Sequence, residues 1–317
     1  MLTRSLLRAK TLQVLYAHFN NVGATRQSAE NELRHSIEKT VDLYYLLLLL
    51  PIEMTRYTDL RLDSARHKLR PTEADLNPNM RLVDNSFIKQ LSENETLTKY
   101  AETHKLSWSD KREAIVTLCN RLQSSNYYTD YMNAATTDYT TDCDLWRRFF
   151  KHEITEDNEL LCDILEEMSI YWSDDLNVVS SFVQRTMRQY KPNENAQQLL
   201  PTPNGYRNTD DEEFVFKLLR LSIDRHDEFA AVIKEYAKNW DAERIAFLDN
   251  LIMCMALAEL SDFPAIPVSA TLNEYINLAK SYSTPRSGMF INGILDKIVN
   301  DRRKAGVLLK VGEIGKQ

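Results

Sequence analysis

Arg4 and Arg8 stand four residues apart near the head of MLTRSLLRAKTLQVLYAHFN, and cations at that separation share one face of a helix. Guanidinium groups fork onto phosphate oxygens and do not move protons at neutral pH, so the chemistry on offer is anion binding. At about 100° per residue both arginines project near the sector of Leu12, Leu15, Tyr16 and Phe19, where an apolar stripe runs off the end of a bundle. The expectation is a buried face made by those four residues and two cations at its rim, free to meet an anion.

A second stretch, IPVSATLNEYINLAKSYSTPRSGMFINGILDKIV from Ile266 to Val299, predicts two amphipathic helices joined by a Ser/Thr/Pro turn. Leu272, Tyr275, Ile276 and Ala279 are spaced for one buried face, and Ile291, Ile294 and Ile298 for another. Asn273, Glu274 and Asn292 lie at the edges of those stripes and need hydrogen-bond partners. Gly293 falls inside the second helix, where glycine costs roughly 1 kcal/mol relative to alanine. Close approach by another helix is the expected compensation.

Other chemistry is hard to find. Cys119, Cys143, Cys162 and Cys254 show no CxxC spacing, the six histidines form no ligand pair, and neither a metal nor a cofactor is expected. No glycine-rich phosphate loop occurs. The carboxylates belong to amphipathic helices, where solvated faces and i,i+4 pairs account for them, and no nucleophile-base set stands out. A binding protein is expected, not an enzyme.

The 317 residues include only seven glycines and nine prolines, which favours an all-α chain long enough for two domains or one enlarged domain. The net charge of −7 is unevenly spread: residues 1–22 carry +3, 212–317 carry −1, and 23–211 carry −9. The overall acidity therefore does not exclude nucleic acid as a partner of the two ends. The N-terminus lacks an apolar segment of signal-peptide length, and no run reaches the roughly 18 apolar residues of a membrane span. A cytoplasmic location without membrane attachment is expected.

In chain order, a helix over residues 1–20 breaks at Asn20 to Gly23. A second begins near Ser28 and runs into Asp42 to Pro51, an apolar run to be buried in a bundle, with Pro51 kinking or stopping it. A polar helix then spans Met54 to Arg70, and Pro71 to Asn79 is a loop. Further helices are expected near Ser86 to Lys105, Asp110 to Leu122, Leu145 to His152, Asn158 to Trp172 and Leu176 to Tyr190. Lys191 to Asp211 has linker composition. Helices follow from Phe214 and over Phe229 to Trp240, then one capped by Asp241 and lined by Ile245, Leu248, Ile252 and Met255. The tail after Val299 is expected to be loose.

The pattern PVxxxLNExIxLAKxY followed by SxxFINGILDKI resembles the C-terminal signature of the NusB family, bacterial transcription antitermination factors. The likeness continues through Asp249 to Leu260 and returns in RSLLRAKTLQVLY, Arg4 to Tyr16. It implies an all-α NusB-like helical bundle enlarged by an inserted helical region: 1–22 as first helix, 23–211 as an acidic insertion, 212–302 as C-terminal bundle and 303–317 as flexible tail. The implied partners are single-stranded boxA-like RNA of ribosomal RNA operons, ribosomal protein S10 (called NusE in the transcription complex) and the elongating RNA polymerase.

Carried over by position, the resemblance implies RNA contacts from Arg4, Arg8, Lys10, Gln13, Tyr236, Asp249, Lys280 and Arg286, with Asn273, Glu274, Phe290, Asn292 and Gly293 as motif residues. The departures weaken the RNA side. Leucines thin the basic run of the first helix, Cys254 stands where relatives commonly carry arginine, and the insertion is large and acidic. The rival expectation is an RNA-free protein-interaction scaffold of the same fold, binding ribosomal protein S10 or another partner.

Overall fold

The computed structural model describes residues 2–136, 138–192, 200, 205–237, 246–308 and 310. Among them are fifteen α-helices and no strand. Two compact units emerge, one over Glu38–Gly205 and one formed by Leu2–Ile37 with the chain from Tyr206 onward.

The second unit contains α1 (Arg4–Asn20), the start of α2 (Arg26–Arg66), α11 (Thr209–Asp224), α12 (His226–Tyr236), α13 (Phe247–Asp262), α14 (Val268–Tyr282) and α15 (Ser287–Lys304). Its axis is α13, in which Leu251 through Leu260 are buried without a break. A helix that is apolar all round must be covered on all sides, and α1, α11, α12, α14 and α15 pack against it. Local signals set the starts of the outer helices. The Thr3 hydroxyl accepts from Leu6 N–H, and the Asn208 side chain accepts from Asp211 N–H at 2.9 Å.

The other unit holds the rest of α2 with α3 (Glu73–Leu76), α4 (Ser86–Ser92), α5 (Glu95–His104), α6 (Arg112–Ser124), α7 (Asn126–Asn133), α8 (Tyr139–Glu153), α9 (Glu159–Met168) and α10 (Leu176–Gln189). Trp146, Phe149, Phe150, Phe87, Tyr44 and Tyr45 form its buried centre. The expected long helix over 86–105 divides at Asn94, whose side chain caps α5. Within the expected loop 71–79, a capping box between Thr72 and Asp75 closes the single turn of α3.

Pro51 does not stop the second helix: α2, 41 residues in all, runs through it to Arg66. Leu43–Leu48 and Leu50 before it, and Met54, Thr55 and Thr58 after it, are all buried. Packing on both sides outweighs the roughly 3 kcal/mol that an interior proline costs. No helix among the described residues is long and apolar enough to cross a membrane. Trp240, the Asp241 cap, Ile245, part of the 191–211 linker and residues 309 and 311–317 of the tail lie outside the described residues. The described part of the tail after Val299 is not loose, because α15 continues to Lys304 and Leu308 and Lys310 are buried.

Candidate nucleic-acid interface

The first helix is more deeply embedded than its polarity suggests. Leu6 through Leu12 are all buried, including Arg8 and Lys10, at 3% and 2% exposed. Arg8 is therefore not a rim cation. Its Nε and Nη2 donate to the two carboxylate oxygens of Glu259 on α13, both at 2.8 Å, and its Nη1 lies 3.3 Å from Glu274 on α14. Thr271 and Tyr275 also donate to Glu259, at 2.9 and 3.1 Å. Burial alone pulls the Arg8 pKa down, but bonding to Glu259, aided by the charges nearby, reverses that and holds it above its ordinary value. The stripe does not run off the bundle, because a glutamate waits where it was expected to end.

Arg4 is half-exposed. Its Nε donates to Asp211 at 2.8 Å, Arg207 donates to the other oxygen at 2.7 Å, and its guanidinium lies 4.9 Å from the Phe214 ring centroid. Burial pushes the Asp211 carboxyl up, yet the hydrogen bonds from Arg207 and Arg4 win and hold it below the ordinary range. Arg4 is thus already engaged, with part of its surface still open to solvent. Gln13 is half-buried further along α1.

Lys280, near the end of α14, and Arg286, just before α15, are exposed. Asp249, buried in the first turn of α13, accepts from Ser283 at 2.6 Å and from Ser287 at 2.9 Å. Ser287 directly follows Arg286. The Lys280 stem lies over Gly288, where an added Cβ would stand 3.3 Å from Lys280 Cγ. The close approach expected at Gly293 is found instead at buried Gly288, while Gly293 itself is exposed.

Two residues before Asp249, the ring of Phe247 stands 5.8 Å from that of Tyr16 at the far end of α1. Both remain open to solvent, Tyr16 at 49% and Phe247 at 41%, so Tyr16 does not belong to the buried face expected of it. Leu12 and Leu15 are buried, and Phe19 is half-buried with its ring centroid 4.3 Å from that of His226. The expected residues therefore fall into separate groups. Arg4 and Arg8 lie toward Glu259, while Asp249, at the start of α13 and roughly 15 Å away along that helix, binds the turn that carries Arg286, and Phe247, on the opposite face of α13 from Asp249, meets Tyr16. Tyr236 is in a third place, half-buried with Lys297 5.6 Å from its ring centroid.

Of the motif residues, Glu274 ties to Arg8, Asn292 donates to Asp296 at 3.0 Å, Phe290 is half-buried and Asn273 is exposed. Two participants escaped the sequence reading. Glu259 had a readable signal, since one acid inside an unbroken apolar helix demands a buried cation. Phe247 had none, because only its packing beside Tyr16 distinguishes it. Chemically, Lys280 and Arg286 offer two exposed cations for phosphates, and on another face of α13 the Tyr16–Phe247 pair offers exposed rings on which unpaired bases can stack. No His/Cys/Asp/Glu group that could hold a metal occurs among the described residues.

Residues 176–300 match the model of the NusB family. The chain is similar to the transcription antitermination protein NusB of Salinibacter ruber, 39% identical over 100 residues that cover 32% of this chain and 62% of that protein. It is also similar to the proteins of that name from Chloroherpeton thalassium, at 37% over 101 residues (32% and 48%), and Dictyoglomus turgidum, at 41% over 88 residues (28% and 61%). The chain thus spans between about half and three fifths of these relatives. No solved structure matches it significantly.

Proposed function

Because residues 176–300 carry a NusB-family domain, we propose that this chain is a non-enzymatic transcription antitermination factor that binds single-stranded boxA-like RNA together with ribosomal protein S10 and keeps RNA polymerase elongating through ribosomal RNA operons. The observation that supports the reading is what stands exposed near the start of α13: Lys280 and Arg286 lie on either side of Ser283, in the stretch whose Ser283 and Ser287 bind Asp249, and the Tyr16–Phe247 pair is open on another face of that helix. All of these but Tyr16 lie inside the matched residues 176–300. Cations there neutralise phosphates, and the two rings accept bases. Arg4 extends the basic surface along α1, with Gln13 between the two ends. Arg8, Lys10 and Asp249 act in this reading by holding the helices that present the others.

The burial of Arg8 and Lys10 favours the second reading, a scaffold that binds ribosomal protein S10 without RNA, because it removes two of the three cations of the first helix from solvent. Binding of a boxA-like RNA, with and without ribosomal protein S10 and across a salt series, separates the two. Under the RNA reading, affinity falls with salt, rises with ribosomal protein S10, and Lys280→Ala or Arg286→Ala lowers the slope of log affinity against log salt by about one. Binding of ribosomal protein S10 with no RNA affinity at low salt establishes the scaffold instead.

A further inference from the structure

The unit over Glu38–Gly205 holds a cavity of about 440 Å³, lined by residues before the matched 176–300 and in the size range of small-ligand sites. Glu53, Arg56, Tyr57 and Arg61 line it from one face of α2, and Trp108 and Arg112 close it from the start of α6 and the loop before it. Three arginines thus face one carboxylate. Arg56 is committed to that carboxylate, donating to both oxygens of Glu53 at 3.1 and 2.5 Å. Arg61 donates to the neutral side-chain carbonyl of Gln123 at 3.1 Å. Arg112 has no carboxylate within ion-pair distance among the described residues. Two exposed guanidinium groups therefore keep their charge uncompensated at the cavity, in a unit whose sequence carries a net charge of −8.

The remaining walls specify more than an anion. Trp108 is 2% exposed, and its indole N–H is spent on the Leu46 carbonyl at 2.8 Å, so it forms a fixed apolar back wall and contributes no donor. Tyr57 is half-buried and adds a second ring. Guanidinium forks match phosphate oxygens, and aromatic surfaces accept a nucleobase. We propose that this cavity binds a phosphate-bearing nucleotide, its phosphate held by Arg61 and Arg112 and its base against Tyr57, with buried Trp108 as the wall behind. The nucleotide belongs either to a single-stranded RNA or to the free pool. The proposal stands independently of the RNA surface around α13, because it uses other residues in the other unit.

The test uses the full chain with two probes, adenosine 5′-monophosphate and a single-stranded RNA oligonucleotide carrying 4-thiouridine. Calorimetry compares wild type with Arg61→Ala/Arg112→Ala, and photocross-linking with peptide mapping locates the contact. The expected result is at least tenfold weaker binding of one probe in the double variant, with an unchanged melting temperature. Loss of the mononucleotide identifies a free ligand, and loss of the oligonucleotide with cross-links at Tyr57 identifies an RNA strand. Should the double variant melt early, the charge-preserving Arg61→Lys and the wild-type cross-links decide. Neither probe binding, or binding that is indifferent to both arginines with cross-links confined to the other unit, overturns the proposal.

Discussion

Arg8 and Glu259, 251 residues apart in sequence, join α1 to α13 through two hydrogen bonds of 2.8 Å in a region from which water is excluded. Removing one partner leaves the other charge buried without compensation. Arg8→Met or Glu259→Leu alone is expected to destabilise the chain by about 3–5 kcal/mol in urea unfolding, and the double substitution by much less. If each single variant costs under about 1 kcal/mol, the pair does not hold α1 in place.

Lys310 supplies a pH signature. Its ammonium is fully buried and donates to the carbonyls of Glu259 and Phe263 at 2.8 and 2.9 Å. Burial pulls its pKa from 10.5 down to about 8. Between those pH values the unfolded chain holds the proton and the folded chain has released it, so the contribution of this group to stability rises with pH across that window. Wild type should gain on Lys310→Met by up to about 3 kcal/mol between pH 8 and 10.5, read as the difference between two unfolding series. A difference that is flat with pH contradicts the assignment.

Gly293 is exposed in the interior of α15, and its φ is not positive. Alanine there removes a helix penalty without a steric demand on the core. Gly293→Ala should raise stability by about 0.5–1 kcal/mol, measured as a higher thermal midpoint. Buried Gly288 differs, because its Cβ would press on Lys280 at 3.3 Å. Gly288→Ala should gain less than Gly293→Ala, and the reverse order would contradict the packing described.

For the aromatic pair, exposure is the lever. Phe247→Ala and Tyr16→Ala remove rings that are 41% and 49% open, so unfolding should change little, while affinity for boxA-like RNA should fall by about 1–3 kcal/mol per stacked base. Filter-binding titrations at constant salt measure this. Unchanged affinity in both variants places the RNA elsewhere.

What local spacing determined is the helical architecture and much of its phasing. Asn208, Asn94 and Thr72 cap helices because their short side chains reach free amides within three residues, an interaction readable in any window of the chain. The buried faces of α14 and α15 follow from apolar periodicity in the same way: Tyr275, Ala279, Ile291, Ile294 and Ile298 are all interior. What spacing cannot specify is which partner arrives from far along the chain. It set the azimuth of Arg8 correctly, but only the docking of α13 supplies Glu259 and turns a rim cation into a buried one. The same docking leaves Tyr16 open beside Phe247, and the turn after α14 brings Lys280 over Gly288, moving the close approach five residues from where helix propensity placed it. In the other unit, core packing on both sides of Pro51 carries α2 through a residue that local chemistry reads as a stop. In each case local propensity is worth about 1–3 kcal/mol, and the burial of several side chains at once exceeds it.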